Sequence, residues 1–436
     1  MIKTLIASIY KHIFFRRSIR LLDTLNKRSF SNTEENSKYQ ISKLSTILEI
    51  AFSNIKYYER FKFNTNKFTY SDFQQIPVLT KQIIRSNTQD LVNLNFKKIE
   101  DVICNTSGGS TGEPIAFFQT KEQASHGLAN YFLALNYNGV NINQTSVNLW
   151  GAERDMYNIK KRFDIRGLVH NKTSLNTFVL SDDIMHNYIQ KLKKIKPKFI
   201  KAYVHSIHDM SKIINKHNIN ITFTPIIQCT TGPLYPEMRN EIKKAFNQAI
   251  VFNFYGSREV TAIATEIRDK PDMHILYDNV LIEILDENNN QVKQGEEGEI
   301  VVTTLNNFYM PLLRYKIGDR AVKGDDLEFG TLKLESVVGR TIGVIHKEDG
   351  SRIDGQFFTT LFFNKEGIKN FQLVQKTISD LQLKIVKSEK FEQEELSSIL
   401  NRIKEELINT KIDVVFCDKI DLTSTGKIMY VYSEIS

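Results

Sequence analysis

The chain has 436 residues, more than one hydrophobic core usually holds, so we expect at least two domains. Its 41% hydrophobic and 25% charged residues are ordinary for a folded protein and exclude a disordered chain. The formal net charge is +8. Its lysines are scattered rather than collected in one arm, so we do not expect a nucleic-acid-binding surface.

The N-terminal residues combine a short apolar run with a basic segment. The run over residues 4–10 is too short to span a bilayer and is not followed by a clear cleavage site. The segment after it includes Arg16, Arg17 and Arg20. Such a segment can lie on an anionic membrane surface. We favour the alternative, a helix packed on its own protein.

The three cysteines are Cys104, Cys229 and Cys417. They are odd in number and far apart, so they indicate neither a disulfide framework nor a metal knuckle. This usage is typical of a reducing compartment, and we expect a cytoplasmic protein. The sequence does not indicate an oligomeric state.

The first half of the chain is predicted to alternate helices and strands. Apolar residues recur at helical spacing from Ser42 to Tyr58, within a helical N-terminal segment that extends to about residue 95. Farther on, helical patterns alternate with strand-like runs; these segments are Tyr188–Lys196, Phe199–Val204, Ile226–Cys229, Pro236–Phe246 and Val251–Phe254. This alternation predicts an α/β sheet.

After about Met273 the pattern becomes β-rich, with strands predicted at 280–285 and 299–304. From Gly339 onward, strands are predicted at 370–375, 381–386 and 412–416, together with one helix whose apolar face runs from Leu396 to Leu407. We therefore predict a large domain over residues 1–338 and a small α+β domain over residues 339–436.

A loop rich in small hydroxyl residues and glycine carries the first chemical signal. Its members are Thr106, Ser107, Gly108, Gly109, Ser110, Thr111 and Gly112. Glycines let the backbone approach an anion, and the amides and hydroxyls donate hydrogen bonds to phosphate oxygens. The loop is not a Walker A motif, because no Lys-Ser/Thr pair follows the last glycine. A surface turn is the alternative interpretation.

A second signal follows the strand at residues 251–254. It consists of Tyr255, Gly256, Ser257, Arg258 and Glu259. Ligands of α/β sheets bind at the carboxyl ends of strands, a tyrosine can stack on a purine, and a glutamate can bind a metal ion that neutralises phosphate. An ordinary strand end is the alternative.

Three charged residues complete the set. Asp319 follows a glycine turn and can accept two hydrogen bonds from a ribose diol. Arg340 can donate to the same sugar or to phosphate, and Lys427 lies in a Thr-Ser-Thr-Gly-Lys turn, where an ammonium can stabilise developing negative charge. Each taken alone can also be a solvated loop charge.

In this order the motifs resemble those of the adenylate-forming superfamily, which contains acyl- and aryl-CoA synthetases, non-ribosomal adenylation domains and luciferases. The chain is most similar to the phenylacetate–CoA ligase-like branch, which includes capsular polysaccharide biosynthesis proteins. Residues 47–58 with 77–81, 203–206 and 371–375 also match that branch, so the likeness runs from about residue 40 to the C-terminus. It implies an α/β fold: a large N-terminal domain with a β-rich subdomain, and a small mobile α+β C-terminal domain.

The resemblance implies ATP-dependent adenylation of a carboxylic acid with Mg²⁺, and transfer of the acyl group to CoA, an amine or a hydroxyl such as that of a sugar. The implied ligands of ATP are the 106–112 loop for the triphosphate, Tyr255 with Gly256 and Ser257 near adenine, Gly232 and Pro233 on the adenine side, and Asp319 with Arg340 on the ribose. Glu259 would bind Mg²⁺, and Lys427 would complete the site when the small domain closes. No protein nucleophile is implied.

Three positions depart from the branch. Arg258 stands where threonine is common and adds a cation near the α-phosphate, while Gly232 stands where relatives often carry glutamate. Residues Thr341-Ile342-Gly343 replace the usual hinge aspartate after Arg340. A non-catalytic, nucleotide-binding scaffold in a biosynthetic complex is therefore a second hypothesis.

The acid is expected to bind between the phosphate loop and the adenine motif. Candidate residues there are Trp150, Phe178, Tyr203, His205 and Ser206. His205 is either a base or carboxylate ligand, or an ordinary core or surface histidine. The sequence does not identify the acid.

Overall fold

The structure is a computed structural model. It describes residues 15–28, 32–106, 115–141, 143–150, 172–177, 179–180, 182–268, 270–338, 344–350, 352–362, 365, 367–420 and 429–435. The helices are α1 (Arg16–Leu25), α2 (Thr33–Asn54), α3 (Tyr70–Gln74), α4 (Lys81–Ser86), α5 (Lys121–Tyr137), α6 (Asp182–Ile195), α7 (Val204–Lys216), α8 (Pro236–Ala245), α9 (Gly355–Leu361) and α10 (Gln393–Glu406).

The strands are numbered along the chain in the same way. They are β1 (Val102–Thr106), β2 (Ala116–Thr120), β3 (Ser146–Trp150), β4 (Lys172–Asn176), β5 (Val179–Leu180), β6 (Phe199–Tyr203), β7 (Ile226–Thr230), β8 (Ile250–Tyr255), β9 (Ala264–Ile267), β10 (Lys270–Ile275), β11 (Val280–Leu285), β12 (Glu297–Thr304), β13 (Tyr315–Lys323), β14 (Lys333–Val337), β15 (Val344–His346), β16 (Arg352–Asp354), β17 (Ile368–Gln375), β18 (Asp380–Lys387), β19 (Lys411–Phe416) and β20 (Val431–Ser433).

The described residues fall into two compact units. Unit 1 contains those within Met1–Ser107, Ile115–Gln144 and Phe252–Gly339, and unit 2 contains those within Thr145–Val251 and Arg340–Ser436. The mixed α/β fold class predicted from the sequence is confirmed. The domain boundary at residues 338/339 stays a prediction.

Unit 1 is built around an antiparallel sheet whose strands run in the order β11-β12-β13-β14-β10-β9-β8. Every residue of β11 is buried, so this strand is covered on both faces. A separate hairpin pairs β1 with β2. The buried apolar residues of α2, which include Ile47, Leu48 and Ala51, pack in one hydrophobic core with the buried residues of this sheet. Helix α2 begins after Asn32, whose side chain accepts a hydrogen bond from the amide of Glu35.

Helix α2 ends at Asn54, short of the predicted end at Tyr58. Ile55 and Tyr58 are nevertheless fully buried, and the Tyr58 hydroxyl donates to the carbonyl of Pro311 at 3.1 Å. The apolar spacing therefore reported burial correctly, although the helical backbone stops earlier.

Helix α1 confirms the favoured interpretation of the basic N-terminal segment. Its buried residues Ser18, Leu22 and Leu25 form the face that packs against α5. Arg16 and Arg17 are exposed. No described helix is both long and apolar enough to cross a bilayer.

A buried ion pair fixes the start of β13. Arg314 is 2% exposed and Glu283 is 0% exposed, and the Arg314 Nε donates to Glu283 Oε2 at 3.1 Å. The Tyr70 hydroxyl donates to Glu283 Oε1 at 2.6 Å, and the Arg314 Nη1 donates to the carbonyl of Ile76 at 2.8 Å. Arg314 and Glu283 are both buried although Tyr70 is only partly so, and the charges of the pair are therefore removed from water.

The N-terminal part of unit 2 is a parallel sheet in the order β7-β6-β3-β4. Alternate residues of its strands, such as Ile200, Ala202 and Ile227, form a core with helices α6, α7 and α8. Strand β6 ends at Tyr203, and Val204 begins α7 rather than ending the strand as predicted.

The C-terminal part of unit 2 contains a sheet in the order β19-β18-β17-β20. Helix α10 covers it with buried Leu396, Ile399 and Ile403. The predicted helix extended to Leu407, which is buried but stands just past the last helical residue. The prediction of one helix was wrong, because α9 lies in the same part of the chain.

Candidate functional site

The segment after β8 is a closed loop whose ends are hydrogen-bonded to each other. The amide of Ile263 donates to the carbonyl of Tyr255 at 3.1 Å, and the amide of Thr261 donates to the carbonyl of Ser257 at 2.8 Å. Thr261 has a φ of +67°, a conformation that sharply reverses the chain. Tyr255 and Glu259 are therefore held in fixed positions at the carboxyl end of a strand.

Gly256 allows this loop to close. A Cβ atom at position 256 would lie 2.1 Å from the carbonyl oxygen of Thr261, so the backbone must shift to accommodate any side chain. We expect Gly256→Ala to open the loop and to destabilise unit 1 by about 1–3 kcal/mol. The matched control is Gly232→Ala, whose added methyl would meet Val204 Cγ1 at 3.5 Å, an ordinary contact. Equal unfolding midpoints in denaturant for the two variants would contradict this account.

Tyr255 and Asp319 are joined directly. The Tyr255 hydroxyl donates to Asp319 Oδ2 at 2.8 Å, across 64 residues of sequence. Asp319 lies in an irregular stretch of β13, where the pairing with β12 shifts register and Gly318 has a φ of +90°. This irregularity is typical of a β-bulge, which re-aims a side chain out of the regular pleat. The structure thus brings together two residues that were predicted for neighbouring parts of a nucleotide.

Glu259 is 6% exposed and is held on both its backbone and its side chain. Its carbonyl accepts a hydrogen bond from Gln119 Nε2 at 2.8 Å, and its Oε1 accepts one from the Tyr315 hydroxyl at 3.4 Å. Within the described part of the chain no group of three His, Cys, Asp or Glu side chains is arranged to hold a metal. A single carboxylate fits Mg²⁺, which usually takes one or two protein carboxylates and completes its shell with phosphates and water.

The hairpin β1–β2 positions the ends of the Ser/Gly-rich loop. Thr106 pairs with Ala116, so the loop begins and ends at adjacent positions of one ladder. The Asn105 Nδ2 donates to Gln119 Oε1 at 2.6 Å, and Gln119 in turn contacts the backbone of Glu259. Thr106 is partly buried. The hairpin and the Tyr255–Glu259 segment are thus linked by hydrogen bonds.

Two residues between Gly256 and Glu259 differ in exposure. Arg258 is exposed. The Ser257 Oγ is buried and has no hydrogen-bond partner among the residues that the structure describes. A buried hydroxyl without a partner is unusual in a native fold, and a bound ligand is one way to satisfy it.

In unit 2, the ends of two neighbouring parallel strands carry an aromatic pair. Trp150 ends β3 and Tyr203 ends β6, and their ring centroids lie 4.4 Å apart. The Lys201 Nζ lies 4.8 Å from the centroid of the Trp150 ring, which is cation–π geometry. Lys201 and Tyr203 are two residues apart on one strand and so share a face of the sheet.

The first turn of α7 lies beside the strand ends. Its residues include His205 and Ser206, and the helix has no side-chain hydrogen bond at its N-cap. Ser206 is 2% exposed, and its Oγ has no partner within the described segments. A Cβ at Gly232 would lie 3.6 Å from His205 Nε2, so the glycine leaves room next to the imidazole. Gly232 and Pro233 are partly buried and follow the end of β7.

Comparisons with known proteins give a consistent result. Residues 345–434 match the family model of the CapK C-terminal domain. Protein CapK of Staphylococcus aureus is 27% identical over 383 residues, which cover 85% of this chain and 82% of that protein. A solved structure of 2-hydroxyisobutyryl-CoA ligase with 2-HIB-AMP and CoA is similar with a TM-score of 0.59, at 15% identity over 94% of this chain and 92% of that chain.

The same ligase in its postadenylation state with R3-HIB-AMP has a TM-score of 0.55 to this chain, at 16% identity over 92% of this chain and 90% of that one. This chain has the adenylate-forming ligase fold. The adenylate-forming fold that the motifs implied is therefore confirmed. It rests on the whole chain, because the alignments cover both units.

Within the adenylate-forming fold, several predicted site residues lie outside the described residues. They are Ser107, Gly108, Gly109, Ser110, Thr111, Gly112, Phe178, Arg340 and Lys427, together with the hinge residues Thr341-Ile342-Gly343. Their roles stay predictions. Gln119 and Lys201 contact candidate residues but were not predicted, and neither was Asn105, which donates to Gln119. Tyr315 contacts Glu259 and belongs to the same 313–319 segment that drew attention to Asp319. Its place in that segment could therefore have indicated a role in the site.

Proposed function

We propose that this protein is an ATP-dependent ligase that adenylates a small carboxylic acid, which can be an acyl, aryl or amino acid. The observation that carries the proposal is the hydrogen bond between Tyr255 and Asp319 at the end of β8, in a chain with the adenylate-forming fold. Two residues that the motifs assign to adenine and ribose are thereby fixed to each other. Glu259, four residues beyond Tyr255, is held in the same loop.

The adenylation reaction requires the protein mainly to position the reactants and to neutralise phosphate charge. A carboxylate oxygen of the acid forms a bond to the α-phosphorus of ATP, and the bond from that phosphorus to the bridging oxygen breaks. Pyrophosphate leaves with the electron pair. Because the acid itself is the nucleophile, catalysis depends on alignment of the reactants and on neutralisation of phosphate charge.

In unit 1, Asp319 would accept hydrogen bonds from the ribose hydroxyls while the Tyr255 hydroxyl keeps its carboxylate oriented. The partly buried Tyr255 ring would lie against adenine. The 106–112 loop, with Thr106 at its start, would donate to the triphosphate, and Arg258 would add a cation near the α-phosphate. Gly256 and Ser257 would contact the nucleotide through their backbone and the buried Ser257 hydroxyl.

Glu259 is our proposed ligand for Mg²⁺. When bound, the ion neutralises phosphate charge and so favours departure of pyrophosphate. The Tyr315 hydroxyl fixes one carboxylate oxygen of Glu259, and the amide groups of Gln119 and Gln123 fix its backbone carbonyl. These contacts hold the carboxylate in place without a cluster of acidic groups.

In unit 2, the aromatic pair Trp150 and Tyr203 would contact the body of the acid. His205 and the Ser206 hydroxyl, with the amides of the first turn of α7, would face its carboxylate, since a helix N-terminus attracts negative charge. Gly232 and Pro233 would border the same region. Closure of the small domain would bring Lys427 to the developing charge, and Arg340 would contact ribose.

The acceptor in the second step is proposed as CoA, an amine or a hydroxyl such as that of a sugar. The solved relative was captured with an acyl-AMP and CoA, which supports transfer to a thiol. The resemblance to the branch that includes capsular polysaccharide biosynthesis proteins supports a sugar-linked acceptor. None of the three cysteines, Cys104, Cys229 and Cys417, is in a disulfide, and their odd number and wide spacing support a reducing, cytoplasmic location.

ATP–pyrophosphate exchange against a panel of acids is the decisive test. The panel should contain short aliphatic, hydroxy, aromatic and amino acids, each with and without Mg²⁺. We expect exchange with at least one acid and only when Mg²⁺ is present. Tight ATP binding without exchange for any acid would contradict the proposal and favour the alternative, a non-catalytic nucleotide-binding scaffold, which the altered residues at 232 and 341–343 first suggested.

A further inference from the structure

One face of unit 1 exposes apolar side chains among basic ones. Leu94 is 78% exposed and Ile99 is 56% exposed. Single exposed apolar residues are ordinary on protein surfaces. These two, however, belong to one short segment, and the exposed Lys97 and Lys98 stand between them. An ordinary solvated loop does not account for two strongly exposed apolar side chains with lysines between them.

Helix α1 and the 94–101 segment contact the same helix, α5. The Lys121 Nζ, at the first residue of α5, donates to Asp101 Oδ1 at 2.8 Å. Helix α1 packs against α5 as well. The segment and helix α1 therefore both belong to the part of unit 1 that surrounds α5.

The arginines of α1 are turned outward because the opposite side of the helix is occupied. Leu22 and Leu25 are buried in the face that packs on α5. Arg16, Arg17 and Arg20 are all exposed. Helix α1 therefore cannot insert its apolar face into another layer, and on its exposed side the three arginines outnumber the one exposed acid, Asp23.

We propose that this surface binds an anionic phospholipid bilayer. The basic apolar surface is defined by Arg16, Arg17, Arg20, Leu94, Lys97, Lys98 and Ile99. Each basic side chain near an anionic leaflet strengthens binding about fivefold, and exposed leucine or isoleucine gains further by entering the headgroup boundary. A nucleic acid or an acidic protein domain would use the cations but gives no role to an apolar tip as exposed as Leu94.

Co-sedimentation of the full-length chain with vesicles tests this proposal. Vesicles of equal parts phosphatidylcholine and phosphatidylglycerol should retain the protein, vesicles of phosphatidylcholine alone should not, and about 0.5 M salt should release it. Neutralising the three arginines of α1 to glutamine should weaken binding roughly a hundredfold. Leu94→Ser with Ile99→Ser should weaken it several-fold while leaving the salt dependence unchanged.

A matched control comes from unit 2, where Lys191, Lys194 and Lys198 are exposed. Their joint replacement by glutamine should leave vesicle binding unchanged, and all variants should keep the wild-type unfolding midpoint because only exposed residues change. Equal binding to neutral vesicles, or no binding to either kind, would overturn the proposal. The proposal would also be overturned if the arginine variant bound vesicles fully while deletion of residues 1–14 abolished vesicle binding. These outcomes do not depend on whether the chain adenylates an acid.

Discussion

Alanine at position 427 should abolish acid-dependent ATP–pyrophosphate exchange while leaving ATP binding largely intact. The Lys427 ammonium is proposed to stabilise charge that develops between the carboxylate and the α-phosphate, and this charge is greatest in the transition state. Removing one preorganised donor of this kind costs about 10²–10³-fold in rate. The proposed ground-state contacts to adenine, ribose and Mg²⁺, through Tyr255, Asp319 and Glu259, would be retained.

The control for this variant is Lys419→Ala, which removes an exposed lysine from the same C-terminal part of the chain. Exchange should then stay at the wild-type rate. Calorimetric titration with ATP in the presence of Mg²⁺ measures the ground state separately. Unchanged exchange in Lys427→Ala would refute the catalytic role. Parallel loss of exchange and of ATP affinity would instead make Lys427 a nucleotide-binding residue.

Local sequence signals predicted the candidate site only in part. The strand before Tyr255 and the glycine before Asp319 were both visible, because short apolar runs and glycines report local backbone conformation. The hydrogen bond between Tyr255 and Asp319 could not be predicted, since nothing in either segment specifies a partner 64 positions away. Gln119 illustrates the same limit: it stabilises the backbone of Glu259 from another strand without any motif of its own.

The predicted elements failed mainly at their ends. Val204 was assigned to a strand because it continues a β-branched run, but it is the first residue of α7. Leu407 keeps the apolar spacing of α10 although the helix has ended, because burial continues past the last helical residue. Apolar periodicity thus reports which side chains are buried, whereas helix ends depend on capping and on tertiary contacts.

The Arg314–Glu283 pair should dominate the stability of unit 1. Arg314→Met would leave the Glu283 carboxylate fully buried, with the Tyr70 hydroxyl still donating a hydrogen bond to it. Removing one partner of a buried pair costs about 3–5 kcal/mol, because the remaining charge is not compensated. The control Lys316→Met breaks a partly exposed pair with Glu299 and should cost no more than about 1 kcal/mol.

Amide hydrogen exchange of peptides from β11 and β13 in increasing urea is the appropriate measurement, because the single tryptophan, Trp150, reports on unit 2. The double variant Glu283→Met/Arg314→Met should recover more than half of the lost stability, since no buried charge remains. A double variant as unstable as the sum of the two single variants would show that the residues act independently. Strand β13 also carries Tyr315 and Asp319, so Arg314→Met should lower the proposed adenylation activity at temperatures where β13 begins to open, before the rest of the chain unfolds.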